Sequence, residues 1–270
     1  MKQGPQSPKE AAQFAVGIIR SRIWEWQAHR SGSPLAKFDT EEGVRDPYPI
    51  HEEVRALGRV VPGMPGYVTT ADYELCHDLM RRRDFGVRDP STNVVHGAIY
   101  EGDSIDRSIL GLNPPDHTRL RRLAAHGFSP KQLASYELAI EKRVQDLLDA
   151  VEGQRTFDFV HAYAAPLPIG IICDLLGLPD ADVSAFEKYG ETLASIIDGV
   201  TSIGQARRGV TASFRVERIL DRLFELRRTD PRDDLVSSLV AAEADGRMTP
   251  RELMAMCQLL LIAGFETTVT

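Results

Sequence analysis

From Leu133 onward, Tyr136, Ile140, Val144, Leu147, Leu148 and Val151 recur at steps of three and four, behind a start of Ser129-Pro130-Lys131-Gln132. That spacing predicts a long amphipathic helix, since residues three and four apart share a face. Its start is a capping box, with Pro at the first helical position. A second pattern differs in kind. Thr249-Pro250-Arg251-Glu252 is another capping box, but the apolar residues after it, Leu253, Met256, Leu259, Leu260, Leu261 and Ile262, cover nearly every face. A helix apolar all round lies at the centre of a domain with other helices about it.

Further start and stop signals predict helices over residues 161–176, 180–197, 205–228 and 231–244, the last opened by Asp230-Pro231-Arg232-Asp233. Nearer the N-terminus, Asp46-Pro47-Tyr48-Pro49 leads into a short helix ended by Gly58 as a left-handed cap, and another helix passes through Leu75 and Leu79. Between them Val60-Val61 and Gly66–Thr70 read as a two-stranded hairpin. Ser31-Gly32-Ser33-Pro34 is a linker, and residues 86–106 have no usable period and read as a long loop over the surface or a pocket. The expected architecture is mainly α with a small N-terminal β hairpin, divided into an N-terminal segment over 1–45 and a globular portion over 46–270.

Composition narrows the function classes. With 270 residues, 43% of them hydrophobic, the chain is able to bury a substantial core. A net charge of -7 argues against a nucleic-acid surface. The three cysteines, Cys76, Cys173 and Cys257, are too few and too scattered for a disulfide framework or a zinc site, which points to a reducing cytoplasm. No run approaches the roughly 20 apolar residues of a transmembrane helix, and the first 30 residues lack a signal-peptide cleavage pattern. The stretch Ala11–Arg30 sets Phe14, Ile18, Ile19, Ile23, Trp24 and Trp26 among Arg20, Arg22 and Arg30. It fits a terminal amphipathic helix packed on the domain and also one lying in a membrane interface.

Two clusters carry candidate chemistry. The apolar central helix is interrupted by Ala263-Gly264-Phe265-Glu266-Thr267-Thr268, where a helix-weakening Gly, an ionisable Glu and two hydroxyl residues replace the expected aliphatics. Such local conflict is expected at functional sites, because buried polar groups cost stability unless partnered. Ala263 and Gly264 lack bulk, so something other than a side chain can approach the backbone there; Thr267 can return its hydroxyl to the carbonyl of Ala263 or Gly264 or offer it to a bound ligand, and Glu266 would supply protons. Taken alone, the motif also fits a helix end whose polar residues reach solvent. The second cluster is Asn113-Pro114-Pro115-Asp116-His117-Thr118-Arg119-Leu120-Arg121-Arg122-Leu123, with Asn113 as the expected N-cap. His117 and Arg121, four apart, share a face and together suit a carboxylate. Taken alone, they also fit a solvated basic face.

At these two places the sequence resembles the cytochrome P-450 family. "NPPDHTRLRRLAAHGFSPKQL" is similar to the family's helix beside the haem edge, and "LLLIAGFETT" to the oxygen-binding groove of its long central helix. The order of "RRRDFGVRDP", "IICDLLGLP" and "DDLVSSLVAAEADGRMTPRELMAMCQLLLIAGFETT" agrees, so the resemblance covers residues 46–270. It implies that His117 and Arg121 hold the propionates of haem b, that Ala263 and Gly264 border the oxygen site, and that Glu266 and Thr267 deliver protons during oxygen activation. It also implies that Ser91–Arg107 and Leu193–Ile203 shape the substrate pocket.

The implied activity is insertion of one oxygen atom from O2 into a small organic, apolar substrate, with electrons from a ferredoxin-type donor for which Arg119 and Arg122 offer a basic docking face. One departure is large. None of Cys76, Cys173 or Cys257 sits in the glycine-rich, Phe-containing loop from which the family draws its axial thiolate, nor does the family's later E-x-x-R helix occur. The resemblance therefore implies an incomplete fold cut within the central helix and lacking the haem-thiolate loop. Activity is then expected of a longer parent, with the 270-residue chain alone inactive and poorly folded. The alternative is a non-catalytic helical remnant or small-molecule binding module.

Overall fold

In the computed structural model the described residues are 26, 30, 32–38, 40–63, 68–88, 108–195 and 203–269, without the side chains of 135, 180, 191, 194, 203, 206 and 265–269. They fall into two compact units, one within Ser7–Gly86 and one within Val87–Thr270. Most of Ala11–Arg30 lies outside the described residues, as do positions 89–107 of the expected long loop and 196–202 of the expected pocket segment.

The first unit holds α1 (Glu41–Arg45), α2 (Tyr48–Leu57), β1 (Val61–Pro62), β2 (Val68–Thr69) and α3 (Tyr73–Arg81). Its local signals are the expected ones. Thr40 caps α1 by accepting from Gly43 N, and Asp72 caps α3 by accepting from Leu75 N at 2.7 Å. β1 and β2 pair antiparallel, with Val61 opposite Thr69. Gly58 does follow α2, but at φ 138° and ψ 177° it is extended in ψ and is not the left-handed helical cap expected. The chain leaves directly for β1, so no Schellman closure forms.

The second unit is helical: α4 (Asp116–Ala125), α5 (Pro130–Asp149), α6 (Pro166–Leu176), α7 (Asp180–Ala194), α8 (Ile203–Thr229), α9 (Leu235–Ala244) and α10 (Pro250–Val269). α10 is the central helix, packed against α6, α7, α8 and α9. Leu253, Met256, Cys257 and Leu261 on it are at most 1% exposed. Close approach depends on two glycines. A Cβ on Gly190 of α7 would stand 2.9 Å from Leu261 Cδ1, and one on Gly264 would stand 2.7 Å from Ile172 Cδ1 of α6. No helix among the described residues is long and apolar enough to cross a membrane.

A buried ion pair ties three helices together. Arg227 of α8, 2% exposed, donates from Nε to Asp234 Oδ2 at 2.5 Å and from Nη2 to Gly177 O at 2.6 Å. Asp234 in turn caps α9, its Oδ1 accepting from Ser237 N at 2.7 Å. Gly177 ends α6 at φ 70° and ψ 37°, with Leu178 N closing on Cys173 O at 2.9 Å as in a Schellman cap. A Cβ at Gly177 would run into both Asp234 and Arg227, so glycine is needed there twice over.

Four expectations are corrected by packing. α9 opens at Asp234, not Pro231, because the side chain that Arg227 pins is also the one that caps. The expected helix over 161–176 begins as a wide π turn at Val160–Ala164, where Ala165 N reaches back to Val160 O. Pro166 and Pro168 cannot donate to that turn, which leaves its carbonyls to a wider closure. Asn113 does not cap α4; its Oδ1 accepts from Val87 N at 2.9 Å and its Nδ2 donates to Arg88 O at 3.2 Å. At α5 only half of the capping box forms: Ser129 Oγ accepts from Gln132 N, while the Gln132 amide donates to Asp233 O.

Candidate functional site

The capping box at the start of α10 forms in both directions, Thr249 N donating to Glu252 Oε2 at 2.7 Å and Glu252 N to Thr249 Oγ1 at 3.2 Å. Eleven residues on, the helix that has been buried all round opens at Ala263, which is exposed, while its neighbour Gly264 is half-buried. At Gly264 the group that approaches is a side chain, Ile172. Of these two small residues, Ala263 is the exposed one. Glu266 and Thr267 lie within α10 by backbone, three and four residues beyond Ala263, and so on its stripe; their side chains are outside the described residues.

On α4, Leu120 and Ala124 are buried and set the inner face. His117 is half-buried and Arg121 exposed, one turn apart, and neither side chain has a hydrogen-bond or ion-pair partner among the described residues. Arg119, two positions from each, is fully engaged. It donates to Glu252 Oε1 at 2.6 Å, to Asp116 Oδ1 at 2.9 Å and to Arg247 O at 2.8 Å. Of the two arginines expected in a docking face, Arg119 is thus tied to neighbours while its side chain stays 38% exposed. Arg122 is exposed, and it lines a cleft of about 560 Å³ together with Arg119, Glu252, Leu123, Met248 and Thr249.

The Arg119–Glu252 bridge was missed in the sequence because its partners stand 133 positions apart. The capping box marked Glu252 only as a helix start. Burial alone would raise the Glu252 pKa, but hydrogen bonds from Arg119 and Thr249 outweigh it and hold the carboxyl below its usual range. A carboxylate with a depressed folded pKa contributes stability that is present above the unfolded value, near 4.5, and lost as pH falls through the folded one. Glu252→Gln should therefore flatten the acid limb of a stability profile measured by urea unfolding between about pH 3 and 6. An unchanged slope below pH 4.5 would remove Glu252 from the acid response.

Two of the three cysteines are buried in the helical unit. Cys173 and Cys257 are 1% and 0% exposed, and burial pushes both thiols up to about 12. Cys76 is half-buried on α3 in the other unit, its Sγ 4.0 Å from Thr70 O. A haem thus fits in part: His117 and Arg121, without side-chain partners among the described residues, have donors for two propionates.

No family model matches the chain. Among curated proteins it is 34% identical over 250 residues to the polyketide biosynthesis cytochrome P-450 PksS of Bacillus subtilis, covering 89% of this chain and 58% of that protein. Among solved structures, ligand-free CYP164A2 of Mycobacterium smegmatis matches with a TM-score of 0.70 at 34% identity, over 87% of this chain and 60% of that one. P450BioI, solved in complex with an acyl carrier protein ligated to hexadec-9Z-enoic acid, matches with a TM-score of 0.71 at 27% identity, over 85% and 60%. The chain spans about three fifths of the length of most curated relatives it matches.

Proposed function

The chain belongs to the cytochrome P-450 family, and from that premise we propose that the protein it forms part of is a haem-dependent monooxygenase acting on a small, apolar organic substrate. One observation carries the reading: the buried run of the central helix becomes exposed at the small residue Ala263, in the same unit as His117 and Arg121, whose side chains have no partner among the described residues. Haem would supply the iron at which O2 is reduced.

Every other role falls to side chains of this chain. His117 and Arg121 bind the propionates, through charge-assisted bonds that fix one edge of the group. Ala263 keeps the backbone of α10 accessible to a flat ligand. Glu266 holds a proton, and Thr267 passes it on from its hydroxyl. Burial pushes the Cys173 and Cys257 thiols up, which supports reading the axial thiolate, and with it the activity, as belonging to a longer protein. Electrons come from a separate donor of ferredoxin type, for which the basic run about Arg119 and Arg122 offers a docking face, with Arg122 the member that has no partner among the described residues.

The test is spectroscopic. The full-length protein, loaded with haem and reduced under carbon monoxide, should show a thiolate-type band, and the isolated 270-residue chain should not. No haem binding by the full-length protein would end the reading; a band from the isolated chain would mean that Cys76, Cys173 or Cys257 ligates iron. Arg121→Ala should weaken haem retention about tenfold or more, as expected for lost hydrogen bonds to a charged group. Arg122→Ala is the control, because Arg119→Ala would also break the Glu252 bridge. Thr267→Ala should raise the electrons consumed per product formed, since proton delivery is disturbed; unchanged coupling would take that role from Thr267.

A further inference from the structure

The two elements that carry the candidate site are joined by one side-chain pair. Arg119 leaves the back of α4: at about 100° per residue, two steps from His117 and two from Arg121 place it on roughly the opposite side of the helix. Its guanidinium is held by Glu252, Asp116 and the Arg247 carbonyl together. Glu252 cannot drift, because the reciprocal bonds with Thr249 fix it at the first turn of α10. That helix then runs unbroken to Ala263. The inner contacts of α4, through Leu120 and Ala124, are apolar, and the Arg119–Glu252 pair adds a directional contact to that non-directional burial.

We propose that Arg119 is a positioning residue: through Glu252 it fixes the angle at which α4 presents His117 and Arg121 to the cofactor edge. The proposal rests on the haem reading above. A planar guanidinium suits this role better than an ammonium, because its donors are rigidly spaced and engage several acceptors at once. Half-exposure at the bridge, with side chains 38% and 18% exposed, makes its direct effect on stability modest and its geometric effect the larger one.

A matched control exists elsewhere in the unit. Arg228 of α8 bridges to Glu243 of α9 at 3.0 Å with side chains 37% and 17% exposed, far from α4 in sequence and bonded to nothing on it. The measurement is the rate of haem transfer from the full-length protein to excess apomyoglobin, alongside thermal unfolding. Arg119→Ala and Glu252→Gln should each speed haem loss at least about fivefold, the lower end of couplings between linked sites. Arg119→Lys should retain part of the effect, and Arg121→Ala should add less in the Arg119→Ala background than alone. Arg228→Ala should lower Tm comparably and leave haem loss unchanged. The proposal is overturned if Arg119→Ala lowers Tm as Arg228→Ala does while haem loss stays within about twofold of wild type. If the wild-type protein holds no haem, the reading beneath fails, and a Tm change alone would then describe the bridge.

Discussion

Replacing Arg227 with alanine should destabilise the fold by about 3–5 kcal/mol, the cost of leaving a buried ion without its partner. The charge left behind is Asp234, whose side chain is 9% exposed and has no other cation within salt-bridge distance among the described residues. The same substitution strands the Gly177 carbonyl, which accepts from Arg227 Nη2 at 2.6 Å. Asp234→Ala should cost as much or more, because it also removes the cap on α9. The double variant should cost much less than the sum of the two, since neither charge is then left unpaired. Urea unfolding read by circular dichroism checks this. A loss below about 1 kcal/mol for Arg227→Ala would place the pair among the surface bridges that contribute little.

That node also shows where reading the sequence stops. The helices on either side of it were legible from period and punctuation, and α10 was legible as central from its apolar coverage alone. The junction was not: Arg227, Asp234 and Gly177 are 7 and 50 positions apart in their contacts. The run Asp230-Pro231-Arg232-Asp233 looks like a helix start, and the true cap is the next acid along, chosen by a distant arginine. Asn113 failed in the same way. A good N-cap residue was taken by the backbone of Val87 and Arg88, 25 or more positions away, before it was available to α4.

The candidate site divides similarly. The motif spacings put His117 with Arg121 on one helix, and Ala263 with Gly264 on another, because spacing on a helix is local information. What holds α4 against α10 is the Arg119–Glu252 bridge, which no local pattern contains. The basic run around Arg119 therefore reads as a surface, although one of its members is structural. Charge alone cannot separate Arg119 from Arg122, which line the same cleft; the fold does, by tying Arg119 to Glu252 and leaving Arg122 exposed without a hydrogen-bond or ion-pair partner among the described residues.

Gly264→Ala should destabilise by about 1–3 kcal/mol, against the direction that helix propensity predicts. Alanine is the better helix former by roughly 1 kcal/mol, so a net loss requires the collision to outweigh it. The collision is specific: the new Cβ would fall on Ile172 Cγ1 and stand 2.7 Å from its Cδ1. Ile172 cannot swing aside cheaply, because a β-branched side chain in a helix has one strongly preferred χ1. Removing the obstacle should therefore rescue the variant, so that Gly264→Ala with Ile172→Ala costs at least about 1 kcal/mol less than the two single changes summed. Strict additivity would mean that α6 and α10 shift apart at no cost. The haem spectrum of the full-length double variant then separates two reasons for a glycine here. If stability and spectrum recover together, Gly264 serves helix packing and Ala263 alone borders the ligand; if stability recovers and the spectrum does not, the space at Gly264 serves the bound group as well.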